Sequence, residues 1–303
     1  MDVKGLPCWP SEPLYEQLEQ GDELRARRID LEMPWSPWEG VGTETLKFGE
    51  HFDTVILGIS LGAFKDVCPE LIAASGKWQA MTTKIKTVQT QAFQFWLKPT
   101  LEQLGWKDPD GSKTKETPIM TAYAEPLDTW ADMTQLVPAE DWPADAGLNN
   151  IAYFCGVFKD APVIPPFSDH EFPEREAARV RRDVIEWLRA NIHRLWPNFA
   201  DEAGNIDWDK LVDLNGGTGE ARFDAQFRRG NIAPTERYVQ SVPGSTEARL
   251  PADGSGFGNL YLAGDWVRTG INAGCVEAAV MGGFGASKSL CGYPKEIIGE
   301  TDF

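Results

Sequence analysis

The feature that most constrains the fold is the stretch of residues 259–290. It opens with a short apolar run that ends at Ala263 and predicts a buried β-strand. Gly264 and Asp265 follow at once, and after a short loop a segment rich in Ala and Gly begins near Gly274. Small residues at this density predict a helix that packs closely on a sheet. The stretch therefore predicts a strand, a turn and a helix in succession.

The turn between this strand and this helix has the composition of a ligand site. Gly264 allows a backbone to approach a ligand closely, and the carboxylate of Asp265 suits sugar or ribityl hydroxyls because it only accepts hydrogen bonds. Ligands of open α/β sheets bind at the carboxyl ends of strands. The helix start near Gly274 offers free amides and the positive end of a dipole, which suit the electron-rich edge of a reduced flavin.

Residues 259–290 resemble the C-terminal FAD-binding motif of the flavin amine oxidase and phytoene desaturase superfamily. That motif is a strand, Gly-Asp or Gly-Glu, a loop, and a helix that starts with Gly-Ala/Cys-Val-Glu. The resemblance implies an FAD-dependent oxidoreductase that oxidises a C–N or C–C bond of a small organic substrate by hydride transfer to flavin. It implies cofactor contacts at Gly264, Asp265, Trp266, Gly270, Ile271, Asn272, Gly274, Cys275 and Val276. The first two would meet the ribityl-pyrophosphate portion, and residues 270–272 would lie near the isoalloxazine ring.

A weaker resemblance to the same superfamily covers most of the chain, and Val55-Ile-Leu-Gly-Ile resembles a late strand of its FAD domain. It implies an α/β fold with an incomplete FAD-binding domain and an α+β, mixed-sheet substrate domain. The implied domains are a connecting segment at 1–40, FAD-domain pieces at 41–80 and 246–292, the substrate domain at 81–245 and a tail at 293–303.

Three further patterns predict regular structure. Residues 43–59 predict a hairpin whose second strand, from Phe52 onward, is buried. Residues 87–97 predict a long strand. Residues 173–196 predict a helix, because apolar side chains recur every three or four positions and Pro197 follows.

The superfamily's ADP-binding motif is missing from this sequence. Its glycines, G-x-G-x-x-G, lie at the N-terminus of a helix and bind the ADP moiety. The phrase that starts at Gly58 has the wrong spacing, and the one that starts at Gly216 lacks a preceding apolar strand. Two explanations remain open, a split enzyme whose second chain carries this segment and a truncated product. The coherent sequence that begins at Met1 favours the split enzyme, which predicts an exposed apolar face that awaits a partner chain.

Catalytic residues are less well defined than cofactor contacts. Many amine oxidases of the superfamily carry a Lys near flavin N5, and a rough alignment places Thr90 or Gln91 there. The aromatic residue that often lies two positions after the equivalent of Thr269 is Ile271 here. Gln91 and Trp266 are the weak catalytic candidates, and desaturation stays open beside amine oxidation.

Several residues of the motif also have a purely structural interpretation. Asp265 can serve as a helix cap, and Cys275 can be a small residue at a crowded helix start instead of a redox group. Glu277 can pair with an Arg, and Trp266 can belong to a core or to a pocket. At the level of the whole chain, the alternative function is a non-catalytic interaction or regulatory subunit derived from a flavoenzyme.

Composition limits the expected partners, the cellular setting and the kinds of site. The formal net charge of -17 repels phosphate backbones, so nucleic acid is not an expected partner. No apolar run is long enough for a transmembrane segment. The five Cys are scattered and odd in number, which favours free thiols in a reducing, cytoplasmic setting. The three His are well separated, so no metal site is expected.

Overall fold

The computed structural model describes residues 2–10, 12–107 and 117–302. Helices and sheets are mixed in an α+β arrangement. The chain divides into two compact units. The first unit consists of Met1–Trp38, Thr90–Phe158 and Pro162–Gly230, and the second unit of Glu39–Gln89, Lys159–Ala161 and Asn231–Phe303.

The bounds of the regular elements follow the chain from end to end. The strands of the described residues are β1 (Asp2–Val3), β2 (Leu6–Pro7), β3 (Val55–Leu57), β4 (Lys86–Leu97), β5 (Ile119–Met120), β6 (Thr129–Asp132), β7 (Asn150–Phe158), β8 (Phe227–Asn231), β9 (Tyr238–Gln240) and β10 (Leu260–Leu262). Their α-helices are α1 (Gly21–Arg27), α2 (Phe64–Val67), α3 (Pro69–Ala74), α4 (Gly76–Lys84), α5 (Leu101–Leu104), α6 (Phe172–Asn191) and α7 (Val276–Cys291). None of these helices is long and apolar enough to cross a membrane.

The first unit is built on a sheet with the strand order β5-β6-β7-β4-β8. Helix α6 covers one face through Trp187, whose ring lies 5.5 Å from Phe154 of β7. Phe154 stacks on Phe93 of β4 at 4.7 Å. Both predictions for this unit are confirmed, because β4 contains residues 87–97 and α6 buries Val180 and Val184 on its apolar side. The helix ends at Asn191, five residues before the predicted end at residue 196, and a 3-10 turn (Ile192–Arg194) follows it.

Trp35 connects the N-terminal segment to the rest of the first unit. Its indole N–H donates to the carbonyl oxygen of Pro165 at 3.3 Å, and its ring lies 4.8 Å from that of Phe172. The carbonyl oxygen of Trp35 in turn lies 2.9 Å from Nδ1 of His170. Residues far apart in the chain therefore hold the segment in place.

The second unit contains the predicted strand–turn–helix. Strands β10 and β3 form a two-stranded parallel sheet in which Leu260 pairs with Val55. The first residues of β4 pair antiparallel with β9, where Lys86 faces Gln240. The core of the second unit is formed by large apolar side chains from α2, α4 and the β10 region, including Phe64, Trp78, Met81, Leu262 and Trp266.

The predicted hairpin at residues 43–59 is wrong. Residues 43–47 form no strand, and Phe48 makes only an isolated bridge with Phe52. The strand from this region, β3, is exposed instead of buried, and 54% of Ile56 is accessible to solvent. Within the described residues β3 has one strand neighbour, β10, so its apolar side chains lack the cover that an inner strand receives.

Candidate cofactor site

The segment 259–290 folds as predicted into a strand, a loop and a helix. Leu260 and Leu262 of β10 are buried in the second unit. Helix α7 begins at Val276, two residues later than the predicted start at Gly274. The loop between them contains all the predicted cofactor contacts except Val276 itself.

The end of β10 is packed tightly against α7 at two glycines. Gly264 has φ +132°, which side chains rarely adopt, and a Cβ there would lie 2.6 Å from Nε1 of Trp266. A Cβ on Gly282 of α7 would lie 2.7 Å from the carbonyl oxygen of Gly264. Helix and strand end therefore meet backbone to backbone, as the small residues of α7 predict.

Asp265 follows as a half-buried carboxylate beside a buried cation. Burial raises the pKa of Asp265, and the positive charge of Arg249 acts in the opposite direction. Burial likewise lowers the pKa of Arg249, against the attraction of Asp265. For both groups the loss of solvent outweighs the mutual attraction. The strand end thus holds two charges in a place where charge is costly.

Arg249 is a residue of this site that sequence reasoning missed. Its side chain is almost completely buried, with 2% exposed. Nη1 donates to the carbonyl oxygen of Asp265 at 2.5 Å, and Nη2 donates to Oγ of Ser241 at 3.3 Å. Nε has no partner among the described residues. The sequence carries no clear signal for this role, because Arg249 follows Glu247 and Ala248 in a mixed polar and apolar stretch.

Short polar contacts fix the loop that follows. Oγ1 of Thr269 accepts from the amides of Ile271 (3.3 Å) and Asn272 (3.2 Å), and Oδ1 of Asn272 accepts from the amide of Thr269 at 3.1 Å. Asn272 has a left-handed backbone with φ 51°, which Asn tolerates well. Its carbonyl oxygen accepts from Oγ of Ser241, and that of Gly274 accepts from the hydroxyl of Tyr238. The loop is therefore held in one conformation.

Helix α7 begins with a cysteine cap. Sγ of Cys275 accepts from the amide of Ala278 at 3.4 Å. Within the described part of the chain, the amides of Val276 and Glu277 have no acceptor. Val276 is 76% exposed, and Ile271 of the preceding loop is also exposed. The start of the helix thus combines free N–H groups with an apolar surface.

The remaining predicted residues have structural contacts within their own units. Trp266 is buried in the core, where its indole N–H donates to the carbonyl oxygen of Ile59 at 3.0 Å. Gly270 packs against the backbone of Gly299. Gln91 lies in the first unit, where Nε2 donates to the carbonyl oxygen of Val157 at 3.1 Å. The catalytic roles of Gln91 and Trp266 stay predictions.

An apolar stripe runs along the exposed side of α7. It consists of Val276, Val280, Phe284 and Leu290, and all four are exposed. Their spacing places them on one side of the helix, because successive residues are rotated by about 100°. Exposed apolar side chains grouped on one helix face are a common feature of interaction surfaces.

A cavity of about 500 Å³ lies on the other side of α7. It is lined by residues of four segments of the second unit, Pro251, Ala252, Asp253, Val267, Arg268, Thr269, Met281, Gly282, Gly285, Lys288, Ser289, Ile297 and Glu300. Lys288 and Glu300 form an ion pair at 2.6 Å. Of the loop that the motif predicts to bind cofactor, the cavity touches only residues 267–269.

Comparisons with known proteins leave the family open. No protein-family model matches the chain, and no curated protein matches it. Among solved structures, the chain is similar to an oxidoreductase from Methanosarcina mazei, with 14% identity and a TM-score of 0.44. The likeness covers 77% of this chain and 42% of that one, so the chain spans less than half of that protein's length. A TM-score this low assigns neither fold nor function.

Proposed function

We propose that this chain is the flavin-side part of an FAD-dependent oxidoreductase that oxidises a C–N or C–C bond of a small organic substrate. The observation that carries the proposal is the folded segment 259–290. Its strand ends in Gly264 and Asp265, its loop is fixed by hydrogen bonds, and its helix opens with two unpartnered amides. Sequence pattern and local geometry agree at the strand end, in the loop and at the helix start.

The residues present fit the cofactor. The half-buried carboxylate of Asp265 suits the hydroxyls of the ribityl portion, because new hydrogen bonds would offset its burial. The free amides of Val276 and Glu277 suit an edge that carries negative charge. Ile271 and Val276 offer apolar surface to a planar ring and exclude water from it. FAD, when bound, supplies the hydride acceptor, and the chain supplies position and electrostatics.

A second chain that carries the G-x-G-x-x-G segment is part of the proposal. That motif is absent from this sequence, and the second unit has uncovered apolar surface on both β3 and α7. Strand β3 leaves one edge without a strand neighbour among the described residues. An open edge and an apolar helix face together suit a partner that adds a strand followed by a helix.

Absorbance spectra test the proposal directly. The full chain is purified alone and after co-expression with its genomic neighbour, and each sample is titrated with FAD. We expect flavin absorption bands in the co-purified complex, and bleaching of the long-wavelength band by a substrate. A folded complex without flavin, and without FAD binding in the titration, would favour the non-catalytic subunit instead.

Two matched variants locate the site. Asp265→Asn removes the charge of the proposed ribityl contact, whereas Asp66→Asn removes an exposed carboxylate from α2 in the same unit. We expect weaker FAD binding in the first variant and unchanged binding in the second. Equal affinity in both variants would contradict the assignment of Asp265.

A further inference from the structure

Arg249 occupies a position that the proposed flavin site does not yet explain. A buried, charged side chain is costly unless hydrogen bonds and an opposite charge compensate it. Arg249 is 2% exposed, its Nε has no partner among the described residues, and burial lowers its pKa. A packed apolar residue would fill the same place at lower cost. The charge at this position therefore points to a role beyond filling the core.

We infer that Arg249 is a positioning residue, which holds the flavin-contacting loop in shape and supplies the positive charge beside it. The inference rests on the proposed FAD function. It concerns residues of this chain alone, and nothing in the motif 259–290 contains or predicts it.

The first part of the inference concerns geometry. One guanidinium bonds to the start of the loop at the carbonyl oxygen of Asp265 and to Oγ of Ser241. Ser241 links Arg249 to the other end of the loop, because its hydroxyl donates to the carbonyl oxygen of Asn272. Arg249 thus connects both ends of the segment 265–272 to one rigid planar group. A Lys at this position would keep the charge and lose the fork of donors that makes both bonds.

The second part concerns charge. Asp265 is the charged group that acts on Arg249, and the two form a nearly neutral pair within the second unit. Without the cation, an ionised Asp265 would leave a net negative charge at the loop. Negative charge near a flavin disfavours its reduced, electron-rich form. Arg249 is therefore expected to raise the flavin reduction potential.

Four variants of the full chain separate these two parts from simple core packing. Arg249→Met removes both hydrogen bonds and the charge, and Arg249→Lys keeps only the charge. Ser241→Ala removes only the hydroxyl that joins Arg249 to the carbonyl oxygen of Asn272. Lys47→Met is the control, because it removes an exposed cation of the same unit that pairs with Glu50. Neither Lys47 nor Glu50 lines the cavity that borders residues 267–269 of the loop.

Two measurements are made on each variant. Hydrogen exchange followed by mass spectrometry reports protection of residues 265–275 in the chain without cofactor. The reduction potential is measured for the FAD-loaded protein, with its partner chain, at an alkaline pH that keeps Asp265 ionised.

The expected pattern separates loop protection from the reduction potential. Arg249→Met loses protection in the loop and has a more negative potential, whereas Arg249→Lys loses protection with a potential near that of the wild type. Ser241→Ala loses protection around residue 272 only, and Lys47→Met changes neither the protection nor the potential. If Arg249→Met does not fold, the Lys and Ser241→Ala variants decide the geometric part.

Two results would overturn the inference. One is unchanged protection of the loop in both Arg249→Lys and Ser241→Ala. The other is a reduction potential in Arg249→Met equal to that in Arg249→Lys. Failure of every sample to bind FAD would refute the proposed function instead, and hydrogen exchange would still decide whether Arg249 positions the loop.

Discussion

Replacement of Gly282 by Ala tests whether close contact between α7 and the end of β10 shapes the candidate site. The new Cβ would lie 2.7 Å from the carbonyl oxygen of Gly264, a backbone atom that moves only with its strand. Overpacking of this kind costs about 1–3 kcal/mol. Ala returns about 1 kcal/mol in helix propensity relative to Gly. The free energy of unfolding should therefore fall by roughly 0–2 kcal/mol.

The neighbouring Gly283 provides a matched control. A Cβ at that position meets no atom within 4 Å, so only the gain in helix propensity remains. Gly283→Ala should raise the free energy of unfolding by about 1 kcal/mol. The two variants change the same atoms on adjacent residues of one helix. Their difference of roughly 1–3 kcal/mol thus isolates the steric term.

Urea unfolding of the full chain, followed by circular dichroism, measures this difference if the slopes of the variants agree. FAD titration is then run on both variants in the presence of the partner chain. Gly282→Ala should weaken flavin binding, because the helix must move away from Gly264 and Asp265. If Gly282→Ala is as stable as Gly283→Ala, the close contact at the strand end does not exist, and the reasoning from it fails.

Three further predictions concern other parts of the second unit. Burial places the pKa of Asp265 in the folded chain above that in the unfolded chain, so ionisation lowers the stability as pH rises through the folded pKa. Asp265→Asn should therefore stabilise the cofactor-free chain at neutral pH and reduce the change in its stability between mildly acidic and neutral pH. Urea unfolding midpoints measured across that pH range check this prediction. The double variant Val280→Asp, Phe284→Asp should change the free energy of unfolding of the isolated chain by less than about 1 kcal/mol, because both side chains are exposed. It should abolish capture of the partner chain in co-purification, and capture at the wild-type level would show that the stripe is not part of the interface. Burial raises the pKa of the Cys68 thiol, so iodoacetamide should alkylate exposed Cys291 first, as peptide mass spectrometry would show; equal rates would contradict the buried position of Cys68.

Sequence patterns correctly predicted the elements whose formation depends on residues within the same segment. Strand β10, strand β4 and helices α6 and α7 follow from hydrophobic spacing, breakers and small residues within each segment. The start of α7 was predicted two residues early, because Cys275 acts as a cap through Sγ and sequence rules for caps favour hydroxyl and carboxyl side chains. The error is small because α7's small residues mark the helix independently of its cap.

Features that depend on distant residues were not predictable in the same way. The apolar run of β3 indicates a buried strand, yet burial requires a neighbour that the described chain does not provide. The site contacts of Arg249 reach residues 241 and 265, and no pattern of that spacing is diagnostic. Trp266 illustrates the same limit, because its bond to Ile59 joins positions more than two hundred residues apart.

The rigid loop and the uncovered apolar surface have different consequences for cofactor affinity. Hydrogen bonds within the chain already fix residues 269–274, so flavin binding need not spend free energy on ordering them. In the proposed split enzyme, a partner that covers β3 and α7 would supply the contacts to the ADP half at a high effective concentration. The isolated chain should then bind FAD and FMN with similar, weak affinity, since the two differ only in the part that the partner recognises. Preference for FAD would arise only in the complex, which makes selection of the cofactor a property of the interface.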